Sequence, residues 1–180
     1  SPGEPECVVT TREEYEVLLA HVQFPAQCAI LDPMSGTGTT RHVLEAFGHS
    51  VHLNDVNGKH PSCTHYDALQ PSYWRRCYSQ GHRVVVTSPL FAVADLLLWF
   101  ASSTMDLVCA HLPITFVFSA PVARQQWLQA LGHQRRLLLI VGLPPGKYGY
   151  RCLWLCIFAT ADLLAQHAVT QALHSLRFHA

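Results

Sequence analysis

The sequence predicts an α/β domain, a mostly parallel sheet with helices on both faces, and three observations carry that prediction. Short apolar runs suited to buried strands alternate with segments of helical spacing along most of the 180 residues. The clearest run, Arg83-Val-Val-Val-Thr87, is unbroken and β-branched, as strands in the middle of a parallel sheet are. The stretch Ala29-Ile-Leu-Asp-Pro-Met-Ser-Gly-Thr-Gly-Thr-Thr-Arg41 reads as strand, glycine turn and helix. In an α/β sheet, that unit is where an adenosine-containing ligand most often sits.

Each element has its own signal. Thr11-Arg-Glu-Glu14 has capping-box spacing, and Tyr15, Leu18, Leu19 and Val22 recur at helical intervals. A first helix is therefore expected from Arg12 to Val22, with Pro25 marking its exit. Strands follow at Cys28–Leu31, Ser50–Asp55, Thr64–Asp67, Arg83–Thr87, Asp106–Ala110, Arg136–Val141 and Cys152–Phe158, a seven-stranded sheet. Between them lie helices at Thr39–Phe47, closed by Gly48, then Val93–Ser102 and Pro121–Leu131, the last with Trp127 and Leu131 inward, while Pro71–Tyr78 reads as a helix or an irregular cover. The last two strands are joined by the loop Gly142-Leu-Pro-Pro-Gly-Lys-Tyr-Gly149 rather than a helix, so they are expected to pair antiparallel at an edge. Thr160–Phe178 shows an apolar stripe through Ala165, Val169, Ala172 and Leu176 and closes the chain as a helix. The organisation expected is an arm and helix over 1–25, the main domain over 26–160, and a C-terminal helix over 161–180 packed on the same domain.

Composition narrows the function classes. Apolar residues make up 49% and charged residues 13%, which suits a packed core and argues against disorder. The formal net charge is zero and the pI about 7.2, so the chain lacks the basic footprint of a protein that grips phosphate backbones by charge alone. Seven cysteines form no CxxC pair and no zinc-type spacing, so neither a disulfide framework nor a metal site is expected. Cys28, Cys109, Cys152 and Cys156 lie in apolar runs as small hydrophobes, and a reducing, intracellular setting, nuclear or cytoplasmic, is expected. His60, His65 and His111 read as surface or satisfied core groups, and the apolar runs are too short for a membrane span.

The ligands of such sheets gather at the carboxyl ends of the strands. Asp32, Asp55, Asp67 and Ser88 all fall at predicted strand ends, and that convergence is what singles them out. Gly36 and Gly38 are followed by Thr39-Thr-Arg41, so the third glycine of a dinucleotide fingerprint is missing, as is the Gly-Lys-Ser/Thr of a P-loop. An acid roughly 20 residues past the turn suits the hydroxyls of a ribose. A cofactor with a ribose and no phosphate fits these carboxylates, and S-adenosylmethionine meets that description.

Asp32-Pro-Met-Ser-Gly-Thr-Gly-Thr-Thr40 closely resembles the Asp-Pro-Phe-x-Gly-Ser-Gly-Thr-Thr signature of the class I methyltransferases that act on adenine N6 or cytosine N4 in DNA. Ser88-Pro-Leu-Phe91 resembles their [Asp/Asn/Ser]-Pro-Pro-[Tyr/Phe/Trp] motif, and the later stretches Pro121–Trp127 and Arg151-Cys-Leu-Trp154 are similar to the family's final helix and hairpin. The resemblance covers residues 26 to 160 and implies a Rossmann-like methyltransferase fold. It implies that Asp32, Pro33, Met34 and the backbone of Ser35, Gly36, Gly38 and Thr39 hold the methionine end of S-adenosylmethionine. Asp55 would meet the ribose, and Asp67 with Ala68 the adenine. Ser88 and the Pro89 carbonyl would accept hydrogen bonds from the target amino group, with Leu90 in the place of the second proline and Phe91 stacking on a base swung out of its helix. The partner implied is DNA, with RNA as an alternative; the chain has no room for a recognition domain, which is expected from outside this fragment or from a partner chain. Met34 replaces the usual aromatic residue, and Leu90 removes the φ constraint of a proline. Two other readings stand beside enzymatic DNA methylation: a degenerate methyltransferase fold serving as a binding or scaffolding module, and a methyltransferase of RNA, protein or a small molecule.

Overall fold

The capping box appears as read. Thr11 caps the first helix, its hydroxyl accepting the Glu14 N–H while the Glu14 carboxylate accepts the Thr11 N–H. The computed structural model describes residues 10–133, 137–144 and 151–167. In chain order the elements are α1 (Arg12–His21), β1 (Ala29–Asp32), α2 (Thr39–Ala46), β2 (Ser50–Leu53), α3 (Pro71–Ser79) and β3 (Val84–Thr87). A 3-10 turn at Phe91–Val93 then leads into α4 (Ala94–Thr104), followed by β4 (Leu107–Pro113), α5 (Thr115–Phe118), α6 (Val122–His133), β5 (Leu137–Gly142), β6 (Cys152–Phe158) and α7 (Ala161–His167).

The strands form one sheet in the order β2-β1-β3-β4-β6-β5. β1 pairs parallel with β2 and β3, and β3 parallel with β4, while β6 runs antiparallel to both β4 and β5. Five strands therefore share one direction and β6 alone opposes them. Side chains alternate between two buried faces. Ile30, Val84, Val86, Cys109, Trp154 and Cys156 face α1 and α2. Leu31, Val85, Val108, Leu153, Leu155 and Ile157 face α3, α4, α5 and α6. The result is a three-layer αβα arrangement. Burying each such aliphatic side chain stabilises the fold by about 1.5–3 kcal/mol. A one-residue slip would exchange the two faces, so the double-sided burial of β3 also fixes its register.

One expectation requires correction. Among the described residues the sheet has six strands rather than seven, because the predicted strand Thr64–Asp67 survives only as a single parallel bridge between Asn54 and Thr64. The cause is the Asn54 side chain, which takes the ladder's place: its Oδ1 accepts the Tyr66 N–H at 3.0 Å and its Nδ2 donates to the Tyr66 carbonyl at 2.9 Å. The last two strands pair antiparallel at the edge of the sheet as expected, with β5 outermost and β6 between it and β4. The four-residue α5 carries too short a pattern to be seen in sequence. The predicted helix over residues 160–178 is present as α7 through His167; its remainder, with Lys147 and Tyr148 of the hairpin loop, lies outside the described residues. Among the described residues no helix is long and apolar enough to cross a membrane.

Candidate functional site

In the sheet order, β1 has β2 on one side and β3 on the other, so the chain reverses its direction of travel between β1 and β3. A crevice opens at such a switch point, beyond the carboxyl ends of the strands. The glycine turn follows β1, Asp55 follows β2, and Ser88 follows β3, so all three predicted elements border this crevice.

The turn is shaped by backbone. Gly36 and Gly38 have φ of 52° and 87°, left-handed values that glycine adopts without strain. The Gly38 N–H donates to the Ser35 carbonyl at 2.8 Å, and the Ser35 N–H donates to the Asn54 carbonyl at 3.0 Å. Asn54, fully buried, donates from Nδ2 to the Pro33 carbonyl at 3.2 Å and so ties the turn to the loop after β2. A Cβ on Gly38 would stand 3.0 Å from the His60 ring and 3.1 Å from Leu53, whereas a Cβ on Gly36 would meet nothing within 4 Å. Gly38 is thus needed for packing, and Gly36 presents an open face to the crevice.

Asp32 is buried at the base of the turn. Its carboxylate accepts the Thr40 hydroxyl at 2.6 Å, the Thr87 hydroxyl at 2.8 Å and the Met34 N–H at 3.2 Å. Burial pushes its pKa up to about 6, against the lowering effect of the three hydrogen bonds. The Thr87 bond crosses the switch point and joins β1 to β3. Asp55 is half-buried and bridges the other way. Its Oδ2 accepts the Gly36 N–H and its Oδ1 the Asn57 N–H, each at 2.9 Å. The ribose position expected of Asp55 is therefore held by the chain's own N–H groups. The loop after β2 folds over the turn, with the Ser35 hydroxyl 3.5 Å from the Cys63 sulfur.

On the β3 side, the Ser88 hydroxyl is hydrogen-bonded to the Thr10 hydroxyl, from the segment that leads into α1. Pro89 is buried and Leu90 is 45% exposed. Leu90 has φ −59°, a value that a proline ring would itself impose, so the motif keeps its turn without the second ring. Phe91 packs edge-on to Phe116 at 6.1 Å between ring centres, and the Arg124 guanidinium lies 5.4 Å from its ring. Arg124 is held by both carboxylate oxygens of Asp95 at 2.7 and 2.9 Å. Asp67 lies beyond the bridge at Thr64 as a turn residue, its Oδ1 accepting the Leu69 N–H at 2.9 Å. Ala68 is buried, and its carbonyl accepts the Trp74 indole N–H at 2.8 Å. Met34 is partly buried against the second face's core. A cavity of about 450 Å³ lies on the outer side of α2's first turn, lined by Thr37, Thr39, His42 and His60. It does not lie between Asp32 and Ser88.

Sequence reasoning missed the residues that support this site. Thr40 carries a helix start as well as an Asp32 bond, and Asn54 reads as one more polar residue in a strand. Thr10 and Tyr15 give no signal, because their partners lie far along the chain: Tyr15 donates to or accepts from Thr40 at 2.8 Å, 25 residues on. His111 is the satisfied core group expected, bonded to Glu14 at 2.7 Å.

No family model and no curated protein matches the chain. Among solved structures, one similar protein is a Listeria monocytogenes chain provisionally assigned to the class I S-adenosylmethionine-dependent methyltransferases, with TM-score 0.57 and 15% identity. The match covers 86% of this chain and 64% of that one, so this chain spans less than two thirds of the Listeria protein's length. The likeness is one of fold: an α/β architecture with a mostly parallel sheet.

Proposed function

We propose that the chain is a methyltransferase domain that uses S-adenosylmethionine and delivers methyl to the exocyclic amino group of adenine or cytosine in DNA. The observation that carries this reading is the arrangement of the glycine turn, Asp32, Asp55 and Ser88-Pro-Leu-Phe91 around one switch point, with an open face at Gly36. The residues fit the cofactor. Asp32 spends three hydrogen bonds inside the fold, and a carboxylate accepts roughly four, which leaves one for the cofactor's ammonium group. Asp55 would exchange the Gly36 N–H for a ribose hydroxyl, freeing that N–H for the ligand. Asp67 and Ala68 would border the adenine.

S-adenosylmethionine would supply an electrophilic methyl on sulfonium. The chain's own work is positioning. The Ser88 hydroxyl, released from Thr10, and the Pro89 carbonyl accept hydrogen bonds from the two N–H groups of the target amine. Those bonds turn the nitrogen lone pair toward the crevice and favour the developing positive charge on nitrogen. Leu90, exposed beside them, and Phe91 would contact the base. The neutral charge of the chain fits a recognition domain or partner chain that supplies the grip on DNA.

A second reading, a binding or scaffolding module on a methyltransferase fold, is favoured by one specific observation. Both groups that would face ligands, Asp55 and Ser88, are bonded to the chain's own Gly36 and Thr10. Labelled methyl transfer into DNA oligonucleotides, run beside RNA and protein substrates and with Leu90→Pro, separates the readings. Incorporation that disappears when adenine or cytosine is replaced supports the enzyme; incorporation into RNA or protein alone moves the substrate class. No incorporation by either form, with cofactor bound, supports the module.

A further inference from the structure

Three donors of different chemistry converge on the α1 face of the sheet, at the end where the crevice lies. In the antiparallel ladder His111 stands opposite Trp154, and Pro113 opposite Cys152. The imidazole of His111 and the thiol of Cys152 are therefore diagonal neighbours on one face, within reach of each other. α1 lies across them and brings Glu14, whose Oε2 is 2.7 Å from His111 Nε2. One ligand atom from each of the three residues lies within 4.8 Å of the others. Glu14 is held in place independently: its Oε1 accepts the Thr11 N–H at 3.0 Å, and its backbone carbonyl accepts the Trp154 indole N–H at 2.8 Å. His111 and Cys152 are buried. The Glu14 side chain is 17% exposed against 1% for His111, which gives the cluster one approach from solvent.

We propose that Glu14, His111 and Cys152 are the three protein ligands of a zinc(II) ion, with water in the fourth position. A carboxylate, an imidazole and a thiolate together match zinc's preference for mixed oxygen, nitrogen and sulfur donors, and three protein ligands plus water is the pattern of open zinc sites. Bonds of about 2.0–2.3 Å place tetrahedral donors roughly 3.3–3.7 Å apart. The carboxylate–imidazole contact opens and the thiol draws in, changes that side-chain rotation supplies. On binding, the Cys152 sulfur loses its proton to solvent and bonds zinc as thiolate, while His111 binds through neutral Nε2 and Glu14 through Oε2. The metal joins α1 to β4 and β6 and so holds the Thr10 segment against Ser88. This site goes beyond the methyl-transfer reading and stands without it, since none of its donors is a proposed cofactor ligand.

The test is cobalt(II) and zinc(II) titration of the chelator-stripped chain. One equivalent of cobalt is expected, with a near-ultraviolet thiolate-to-cobalt charge-transfer band and the visible bands of tetrahedral geometry, bleached by zinc. Cys152→Ser removes the charge-transfer band, while Cys28→Ser, far from the cluster, keeps it. Glu14→Gln keeps the capping-box bond to Thr11 yet loses the anionic ligand, and zinc affinity falls at least roughly tenfold. If the wild-type chain binds no cobalt, gives no thiolate band, or keeps that band in Cys152→Ser, the proposal is overturned.

Discussion

The two halves of the crevice are held together over very different sequence distances. On the glycine-turn side, most of the bonds that shape the site are short-range: Asp32 to Thr40 spans 8 positions, Gly36 to Asp55 spans 19 and Asn54 to Pro33 spans 21, while Thr87 to Asp32, at 55, is the one long span among these. On the Ser88 side they are long-range: Thr10 to Ser88 spans 78, Glu14 to His111 spans 97 and Glu14 to Trp154 spans 140. The first half is a local structure dictated by glycine conformation and buried hydrogen bonds. The second is completed only when α1 docks across β3, β4 and β6. The glycine-turn half should therefore be stiff and intolerant of substitution, and the Ser88 half adjustable.

The largest expected effect tests the stiff half. Gly38→Val places a β-branched residue at φ 87° with its Cβ against His60 and Leu53. It is expected to cost about 3–5 kcal/mol in urea unfolding. Gly36→Ala, at φ 52° with open space around it, should cost only about 1–2 kcal/mol. Equal losses at the two positions would remove the distinction drawn between packing and ligand-facing glycines.

Next comes pH. Burial raises the Asp32 carboxyl from 3.8 to about 6, so in that window the folded chain holds a proton that the unfolded chain has released. Stability then falls as pH rises from about 4 to about 6, by about 2–3 kcal/mol in all. Denaturant unfolding across this range should show that slope in the wild type and not in Asp32→Asn. Cofactor affinity should move the opposite way, increasing with pH as the carboxylate ionises.

Smaller effects probe the adjustable half. A double-mutant cycle on Thr10→Ala and Ser88→Ala should give a coupling of about 0.5–1.5 kcal/mol; zero coupling would mean that α1 does not cap the motif. Smallest of all, Leu90→Pro should stabilise the chain by about 0.4–1 kcal/mol, because Leu90 already holds a proline-compatible φ of −59°. A loss of stability would show that the second proline's place has been rebuilt around leucine.

The same contrast explains what was legible in the sequence. Val84, Val85 and Val86 announce a buried strand because both faces of β3 are covered. Asp32 through Thr39 announces its turn because glycine and short polar residues are the few types that such a turn accepts. The strand at Thr64 could not be ruled out from sequence, since its loss depends on one Asn54 side chain replacing the ladder. The Glu14, His111 and Cys152 cluster was hidden for the same reason as Thr10 and Ser88. Its members come from three elements between residues 14 and 152, and each has an ordinary local context: a capping acid, a strand histidine and an apolar-run thiol.

Whether the crevice at Gly36 and Asp55 holds S-adenosylmethionine is decided by calorimetric titration of the wild-type chain and Asp55→Ala. Saturable binding by the wild type is expected, lost in Asp55→Ala and blocked in Gly36→Val, with each variant still folded. A folded wild-type chain that binds neither S-adenosylmethionine nor its demethylated product would contradict it.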